Sequence, residues 1–228
     1  FKDPGQNRYA DTRLLIAQFM ESGWDGEVGS RALARINKIH GNYRIPQEDF
    51  LFVLWTFIEF PLRWTAEFSW RPMTAHEQLA WFNFWSEIGR RMGLVDIPTS
   101  KPAFDAYVTK YRQQHFIPAE ASARVAEATL NIIRGWLPSP LHGFVAPAVT
   151  SLIDEPDFLA AVHLKPAPKW MQVAVKSSLK TLARVKRVYA LGRYPTLLAD
   201  APNRTYPGNR YDIDALEPAH LQSRKERV

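Results

Sequence analysis

Apolar residues recur along most of this chain every three or four positions, which is the spacing of one face of an α-helix. In the first such segment Leu14, Leu15 and Phe19 share one side, and Met20 follows the pattern less regularly. Gly23 closes the segment, as glycine commonly does at a helix end. The pattern predicts an amphipathic helix near the start of the chain.

A second helix is predicted between Ser30 and Gly41. Ser30 is a candidate N-cap, because its hydroxyl can accept a hydrogen bond from the first turn. Gly41 offers an exit from the helix. The predicted inward stripe of this helix consists of Leu33, Ile36, Ile39 and His40.

The two most aromatic segments predict core helices. Residues 46–60 begin with Pro46 and three polar or acidic residues, which suit a first turn, and are then apolar nearly all round. We therefore expect a central, buried helix there. Residues 71–93 contain Thr74-x-x-Glu77, a capping-box sequence at a helix start. The predicted stripe of this helix is Leu79, Phe82, Trp85, Ile88 and Met92.

Four more helical segments follow, at 101–116, 118–137, 154–164 and 168–191, joined by short proline-rich loops. In the first of them Phe104, Val108 and Tyr111 are expected to face inward. No segment shows the strict alternation of a β-strand. The pattern predicts an all-α protein with a single globular helical domain over residues 1–228 and an irregular tail from about residue 194.

The last of these helices is strongly basic and is expected to end at Gly192. Such a pattern is typical of a solvated amphipathic helix, and also of a helix that docks on anionic lipid. Both interpretations stay open at this point. The helix places Lys176, Lys180 and Arg184 on one face and Leu179, Leu182 and Val185 on the other.

The amino-acid composition excludes several kinds of functional site. The 228 residues include no cysteine, which excludes disulfides, cysteine-ligated zinc, iron–sulfur clusters and a thiolate nucleophile. Eight Trp, thirteen Phe and eight Tyr supply large apolar areas for a core or a cofactor pocket. The net charge of +6 is spread along the chain without a nucleic-acid-binding motif. We therefore expect no nucleic acid partner.

Neither a membrane span nor a compartment is predicted. No segment reaches the roughly 20 apolar residues that a spanning helix needs. The sequence opens FKDPGQNRYADT, without an initiator methionine or a signal-type apolar region, so its start is interpreted as processed or trimmed. Association with a membrane surface remains compatible with the sequence.

The spacing of the histidines in the sequence argues against several kinds of metal site. No two of them lie close enough in sequence to share a helix face, which argues against zinc hydrolases and di-iron bundles. No glycine-rich phosphate loop or Gly-x-Ser-x-Gly elbow occurs either. The six are His40, His76, His115, His142, His163 and His220.

A haem needs only one protein ligand, because the porphyrin supplies four nitrogens. His40 and Arg44 are four residues apart and would point the same way on a continuous helix. That arrangement could offer an iron ligand and a cation beside it. The alternative is a core histidine that is hydrogen-bonded to the backbone.

Several stretches together resemble one family. They are RINKIHGNYRI from Arg35, EDFLFVLWTFIEFPLRW from Glu48, then WRPMT and FWSEIGRRMGLVDIP. They are similar to the bacterial rubber oxygenases (latex clearing proteins) and the fungal endoplasmic-reticulum-bound oxygenases of the mycophenolic acid pathway type, and closer to the fungal branch. The resemblance runs from about Gln6 to Pro98, with a weaker match in TYPGNRYDIDALEP at 205–218. It implies an all-helical protein that encloses one haem b.

The resemblance also implies roles on the proximal side. His40 would be the iron ligand, and Arg44, in the family's His-x-x-x-Arg pattern, would stay beside the haem. Arg90 and Arg91 could reach the haem propionates, or could form a surface pair with Glu87.

On the distal side, Arg8 and Thr12 match a stretch in which an arginine precedes a threonine by four residues. Asp11 stands where the rubber oxygenase has a lysine that can cap the iron. A carboxylate cannot act as a neutral amine ligand, so Asp11 is expected to relay protons or to bind Arg8. The alternative is an ordinary Arg8–Asp11 pair at a helix start, with Thr12 placed for capping. The catalytic acid of the rubber enzyme would fall before Phe1.

The function implied by the resemblance is a haem b-dependent oxygenase. It would oxidise an apolar, isoprenoid-like or polyketide-like substrate with dioxygen, with cleavage of a carbon–carbon double bond as one outcome. Two alternatives remain: a non-catalytic helical module that binds haem or lipid, and a peripheral membrane scaffold that uses the basic helix.

Overall fold

The computed structural model describes residues 4–189 and 205–216. Over these residues the chain forms nine α-helices, three short 3-10 turns and no strand, which confirms the all-α class. The helices are α1 (Pro4–Ser22), α2 (Glu27–His40), α3 (Gln47–Phe68), α4 (Ala75–Arg91), α5 (Lys101–His115), α6 (Glu120–Arg134), α7 (His142–Thr150), α8 (Pro156–Ala161) and α9 (Lys169–Val188).

The chain divides into two compact units. That a single domain over 1–228 encloses a haem pocket stays a prediction. Unit 1 comprises Phe1–Gln47, Arg90–Leu94 and Gly192–Val228, and unit 2 comprises Glu48–Gly89 and Val95–Leu191.

Unit 1 is built on the antiparallel pair α1 and α2. Leu14, Leu15 and Phe19 are buried, as the apolar pattern predicts. Gly23 adopts a positive φ of 75° in the connection, a conformation that glycine adopts without strain. Gly29 of α2 lies close to the backbone of the connection and of α1, because a Cβ added there would fall 1.8 Å from the carbonyl oxygen of Gly23 and 3.1 Å from the Cα of Phe19.

The segment 205–216 packs against this pair. Leu216 is buried in a cluster with Leu14, Leu15 and Ala32. Arg35, buried on α2, donates a hydrogen bond from Nε to the Leu216 carbonyl oxygen at 2.8 Å. The segment 205–216, which is far from α1 in sequence, therefore completes the core of unit 1.

The predicted start of α2 is wrong, and the predicted start of α4 is confirmed. Ser30 is not an N-cap, because α2 begins at Glu27 and Ser30 lies inside it, donating its hydroxyl to the Glu27 carbonyl oxygen at 3.1 Å. The capping box of α4 is confirmed. The Thr74 amide donates to Glu77 Oε2 at 2.7 Å, and the Glu77 amide donates to Thr74 Oγ1 at 3.3 Å.

The core of unit 2 is centred on one side of α3, with Leu51, Leu54, Trp55 and Ile58 buried. The expectation of a fully buried helix is wrong. Apolar residues lie nearly all round α3, but the neighbouring helices cover only part of its surface. Its exposed apolar residues are Val53, Phe60 and Trp64.

Helices α4 and α5 supply further core residues of this unit. Phe82, Trp85 and Ile88 of α4 are buried as predicted, and so are Phe104 and Val108 of α5. Leu79 was expected in the α4 stripe but is 58% exposed, because the buried side of α4 begins only at Phe82.

Helix α9 is rotated relative to expectation. Lys176 pairs with Asp154 at 2.5 Å and Lys180 with Glu67 at 3.4 Å, so both lysines lie on the half of the helix that faces unit 2. Leu182 and Val185, expected on the packed face, are exposed. The lysines meet acidic partners on that side, and long lysine stems can pack against protein while the ammonium groups pair. The expected end at Gly192 and the tail from 194 to 204 lie outside the described residues.

Among the helices within 4–189 and 205–216, none is long and apolar enough to cross a bilayer.

Replacing Gly29 by alanine is expected to destabilise the protein. The new methyl group would meet the Gly23 backbone, which cannot move without separating α1 from α2. We expect a loss of about 1–3 kcal/mol in the free energy of unfolding, the usual range for overpacking. Gly143→Ala in α7 is the matched control, because nothing lies within 4 Å of its added Cβ. Thermal or urea unfolding measures both; equal stability of the two variants would contradict the close approach.

Candidate functional site

His40 is the last residue of α2 and is half-buried. Burial lowers the pKa of its imidazole below the ordinary 6.5, and the positive charge of Arg8 lowers it further. Both effects disfavour the protonated ring. At neutral pH the side chain is therefore a neutral imidazole, the form that binds metal ions.

Arg8 acts on His40 from the neighbouring helix. Its side chain is exposed on α1, yet its charge contributes to the pKa of His40. Two residues that are 32 positions apart in sequence are thus brought together by the pairing of α1 with α2. This part of the predicted site is assembled in unit 1.

Arg44 is not placed by a continuous helix, and that geometric argument was wrong. Helix α2 stops at His40, where the Gly41 amide donates to the Asn37 carbonyl oxygen at 2.9 Å. The Asn42 side chain donates to the Lys38 carbonyl oxygen at 2.7 Å and caps the helix end. Arg44 lies beyond this turn and is exposed. Its role beside a haem stays a prediction.

Asp11 is a buried carboxylate with a tyrosine partner. Its Oδ1 accepts a hydrogen bond from the Tyr206 hydroxyl at 2.6 Å. Burial, followed by the bond to Asp11, raises the pKa of the Tyr206 hydroxyl, so the phenol keeps its proton at neutral pH. Thr12, the next residue on α1, is exposed.

Tyr206 was missed by sequence reasoning that concentrated on residues 6–98. The available signal was the second matching stretch, TYPGNRYDIDALEP, which begins at Thr205. That stretch is fastened to both helices of unit 1. Gln18 donates to the Tyr211 hydroxyl at 2.6 Å, and Arg31 pairs with Asp214 at 2.5 Å.

The donor set fits a haem better than a multi-ligand metal site. Among the residues that the structure describes, no group of three or more His, Asp or Glu side chains could hold a metal ion. A haem requires one neutral imidazole and cations for its propionates. His40 supplies the first, and Arg8, which was expected on the distal side, is a cation whose charge reaches His40.

Arg90 and Arg91, the other predicted propionate partners, end α4. Both are exposed, and the Arg91 guanidinium lies 5.8 Å from the centre of the Trp24 ring within unit 1. Whether they contact a haem stays a prediction.

Known proteins resemble this chain along most of its length. The profile of the family described as "ER-bound oxygenase mpaB/B'/Rubber oxygenase, catalytic domain" matches residues 3–201. The chain is 25% identical to ER-bound oxygenase mpaB' of Penicillium brevicompactum over 92% of its own length and 54% of that protein. It is also 25% identical to ER-bound oxygenase mpaB of Penicillium roqueforti (strain FM164), over 59% of its length and 51% of that protein.

The chain therefore spans about half the length of these curated relatives. No solved structure matches it significantly.

Arg8→Gln is expected to raise the pKa of His40 without restoring it fully, because burial is the larger cause of the depression. The folded protein binds fewer protons than the unfolded chain just below pH 6.5, so stability should rise with pH through that window. Arg8→Gln should flatten this rise.

NMR titration of the His40 ring measures the pKa directly. Arg44→Gln is the matched control, since it removes an equal charge from a residue that contributes nothing to the depression. An unchanged His40 pKa in Arg8→Gln, or an equal change in both variants, would contradict the placement of Arg8.

Proposed function

Because this chain belongs to the family of ER-bound oxygenases mpaB/B' and rubber oxygenases, we propose that it is a haem b-dependent oxygenase with His40 as the protein ligand to iron. One observation carries the choice of ligand. His40 is a half-buried histidine held in its neutral form beside a cationic residue of the neighbouring helix.

Haem b, when bound, would supply the iron that activates dioxygen. The chain's own residues would set the environment of that reaction. Arg8 would neutralise negative charge near the haem, and Arg44 would do so from the turn after α2. His40 would orient the haem through its position at the end of α2.

Arg8, Asp11 and Thr12 would form the catalytic set that polarises dioxygen. The Asp11 carboxylate can hold or accept a proton at the oxygen that receives the Tyr206 hydroxyl bond. The exposed Thr12 hydroxyl can donate a hydrogen bond to a substrate. Since Asp11 replaces the lysine of the rubber oxygenase, we propose a proton-handling role for it in place of iron capping.

The proposed substrate is apolar and isoprenoid-like or polyketide-like, and dioxygen is the co-substrate. Oxidation would include cleavage of a carbon–carbon double bond. These specifics rest on the family, which joins rubber oxygenases to the ER-bound oxygenases mpaB/B'. The alternative is a helical module that binds haem or lipid without turnover.

A membrane surface is the second proposed partner, and the rotation of α9 favours it. The helix has no acidic residue, and its outward side combines exposed apolar residues with cations. A helix of this kind lies in the interface of an anionic bilayer. The curated relatives are named ER-bound, which is consistent with this proposal. The outward residues are Trp170, Val173, Leu182, Val185 and Val188, with Lys169, Arg184 and Arg187 among them.

Haem binding is tested first. Wild-type protein supplied with haem is expected to show a Soret band, and His40→Ala is expected to lose or shift it, because the single protein ligand to iron is gone. His76→Ala, which alters an exposed histidine of α4, should leave the spectrum unchanged. A colourless wild type, or identical spectra for wild type and His40→Ala, would reject the assignment. Dioxygen uptake with apolar alkenes then separates an oxygenase from a binding module.

Membrane docking is tested by flotation with lipid vesicles. The wild type should float with vesicles containing phosphatidylserine, less with neutral vesicles, and less at high salt, because part of the attraction is electrostatic. Trp170→Ser with Val173→Ser should reduce flotation. Leu79→Ser with Val125→Ser removes exposed apolar side chains elsewhere and should not. Recovery of a protein complex in place of lipid binding would reject the bilayer as the partner.

A further inference from the structure

Unit 2 contains a cavity of about 370 Å³ that no part of the proposed oxygenase site uses. It lies beside α3, α5 and α8, and its volume is within the range of small-molecule sites. Half of its lining residues are aromatic. The aromatic lining residues are Phe52, Trp55, Phe60, Trp64, Phe68, Phe116 and Phe158.

The aromatic rings hold one another in place. Phe52 stacks on Tyr111 at a centroid distance of 5.0 Å and meets Phe116 edge-on at 5.4 Å. Phe116 in turn lies 6.1 Å from Phe158. Mutual packing restricts the rotamers of these side chains, so the apolar wall is formed before any ligand arrives.

The polar groups of the lining are already engaged. The Thr56 hydroxyl donates to the Val53 carbonyl oxygen of its own helix at 2.7 Å. Glu67 pairs with Lys180 at 3.4 Å, and Arg63 pairs with Glu155. The hydroxyl and these charges are therefore occupied by neighbouring groups of the protein.

A third ion pair at the cavity involves Arg112. Its Nε and Nη2 atoms donate to the two carboxylate oxygens of Asp157 at 2.9 and 2.5 Å, a bidentate arrangement. The same guanidinium lies 5.2 Å from the centre of the Phe116 ring. Hydrogen bonding from Arg112 lowers the pKa of the Asp157 carboxyl, so the pair persists at neutral pH.

From this lining we infer that the cavity binds an uncharged apolar molecule, and that the Arg112–Asp157 pair excludes carboxylates from it. A ligand with a carboxylate would have to displace Asp157 from Arg112 or place its charge against aromatic rings. Either change makes binding of the carboxylate less favourable, and a neutral ligand binds without either of them. An ammonium ligand would meet no unpaired carboxylate in the lining. The inference concerns unit 2 and holds whether or not the protein binds haem.

Calorimetric titration with three ligands of equal chain length tests the inference on the full chain. The probes are 1-decanol, decanoate and decylammonium, each below its aggregation limit. Decanol should bind saturably with one site, and the two charged ligands should bind at least about tenfold more weakly, because desolvation of an ion is not repaid. Decanoate binding as tightly as decanol, or the absence of saturable decanol binding, would overturn the inference.

Two variants locate the binding. Thr56→Trp fills the cavity from α3 and should weaken decanol binding by at least about tenfold, since most of the contact volume is lost. Val53→Trp adds the same bulk to an exposed position of α3 outside the lining and should leave binding unchanged. Equal decanol affinity in Thr56→Trp and wild type, with both folded by circular dichroism, would place the ligand elsewhere and overturn the inference.

A charge variant tests the selectivity without adding bulk. Asp157→Asn releases the Arg112 guanidinium and should improve decanoate binding relative to decanol by about tenfold, the scale of one charge-assisted hydrogen bond. Glu77→Gln removes a carboxylate from a similar bidentate pair with Arg71, whose residues do not line the cavity, and should change nothing. An unchanged decanoate-to-decanol ratio in Asp157→Asn would reject the role of the pair.

Discussion

The close packing of α1 against α2 determines the environment of His40. Gly29 allows the approach, since any Cβ at that position would overlap the Gly23 carbonyl. The approach brings the charge of Arg8 within range of His40, and together with burial it keeps the imidazole neutral. The neutral imidazole of His40 and the cation near it therefore depend on backbone geometry, so a glycine distant from His40 affects its environment.

A second constraint is the satisfaction of buried polar groups. Asp11 is buried on the same helix as Arg8, and a buried carboxylate is costly unless it accepts hydrogen bonds. The Tyr206 hydroxyl supplies one of them from a segment almost 200 residues away. That segment is held by Leu216 in the core and by its bonds to α1 and α2. The position of a proposed proton-handling group thus depends on chain that lies far from it in sequence.

The sequence allowed eight of the nine helices in the described part of the chain to be predicted and missed α7; it predicted the orientation of the helices less well. The periodicity located α1, α4 and α5, because packing against one side leaves a regular apolar stripe. It failed for Ser30, where Gly26 caps the helix one turn earlier, and for α9, where Asp154 and Glu67 attract the lysine face inward. Partners that come from distant segments leave no local pattern. For the same reason His40 could be singled out from resemblance, whereas its link to Arg8 and the role of Tyr206 required coordinates.

Charge pairing has different consequences in the two units. In unit 1 the described environment leaves Arg8 exposed, so its charge acts on the neighbouring histidine and remains available to an anionic group. In unit 2 the arginines at the aromatic cavity are neutralised by Glu155 and Asp157, so the same residue type helps to close an apolar surface against anions. Counting basic residues could not distinguish these uses. What distinguishes them is whether a carboxylate lies within hydrogen-bond distance, since a paired guanidinium contributes its stem and ring contacts to an apolar wall while its charge is cancelled locally.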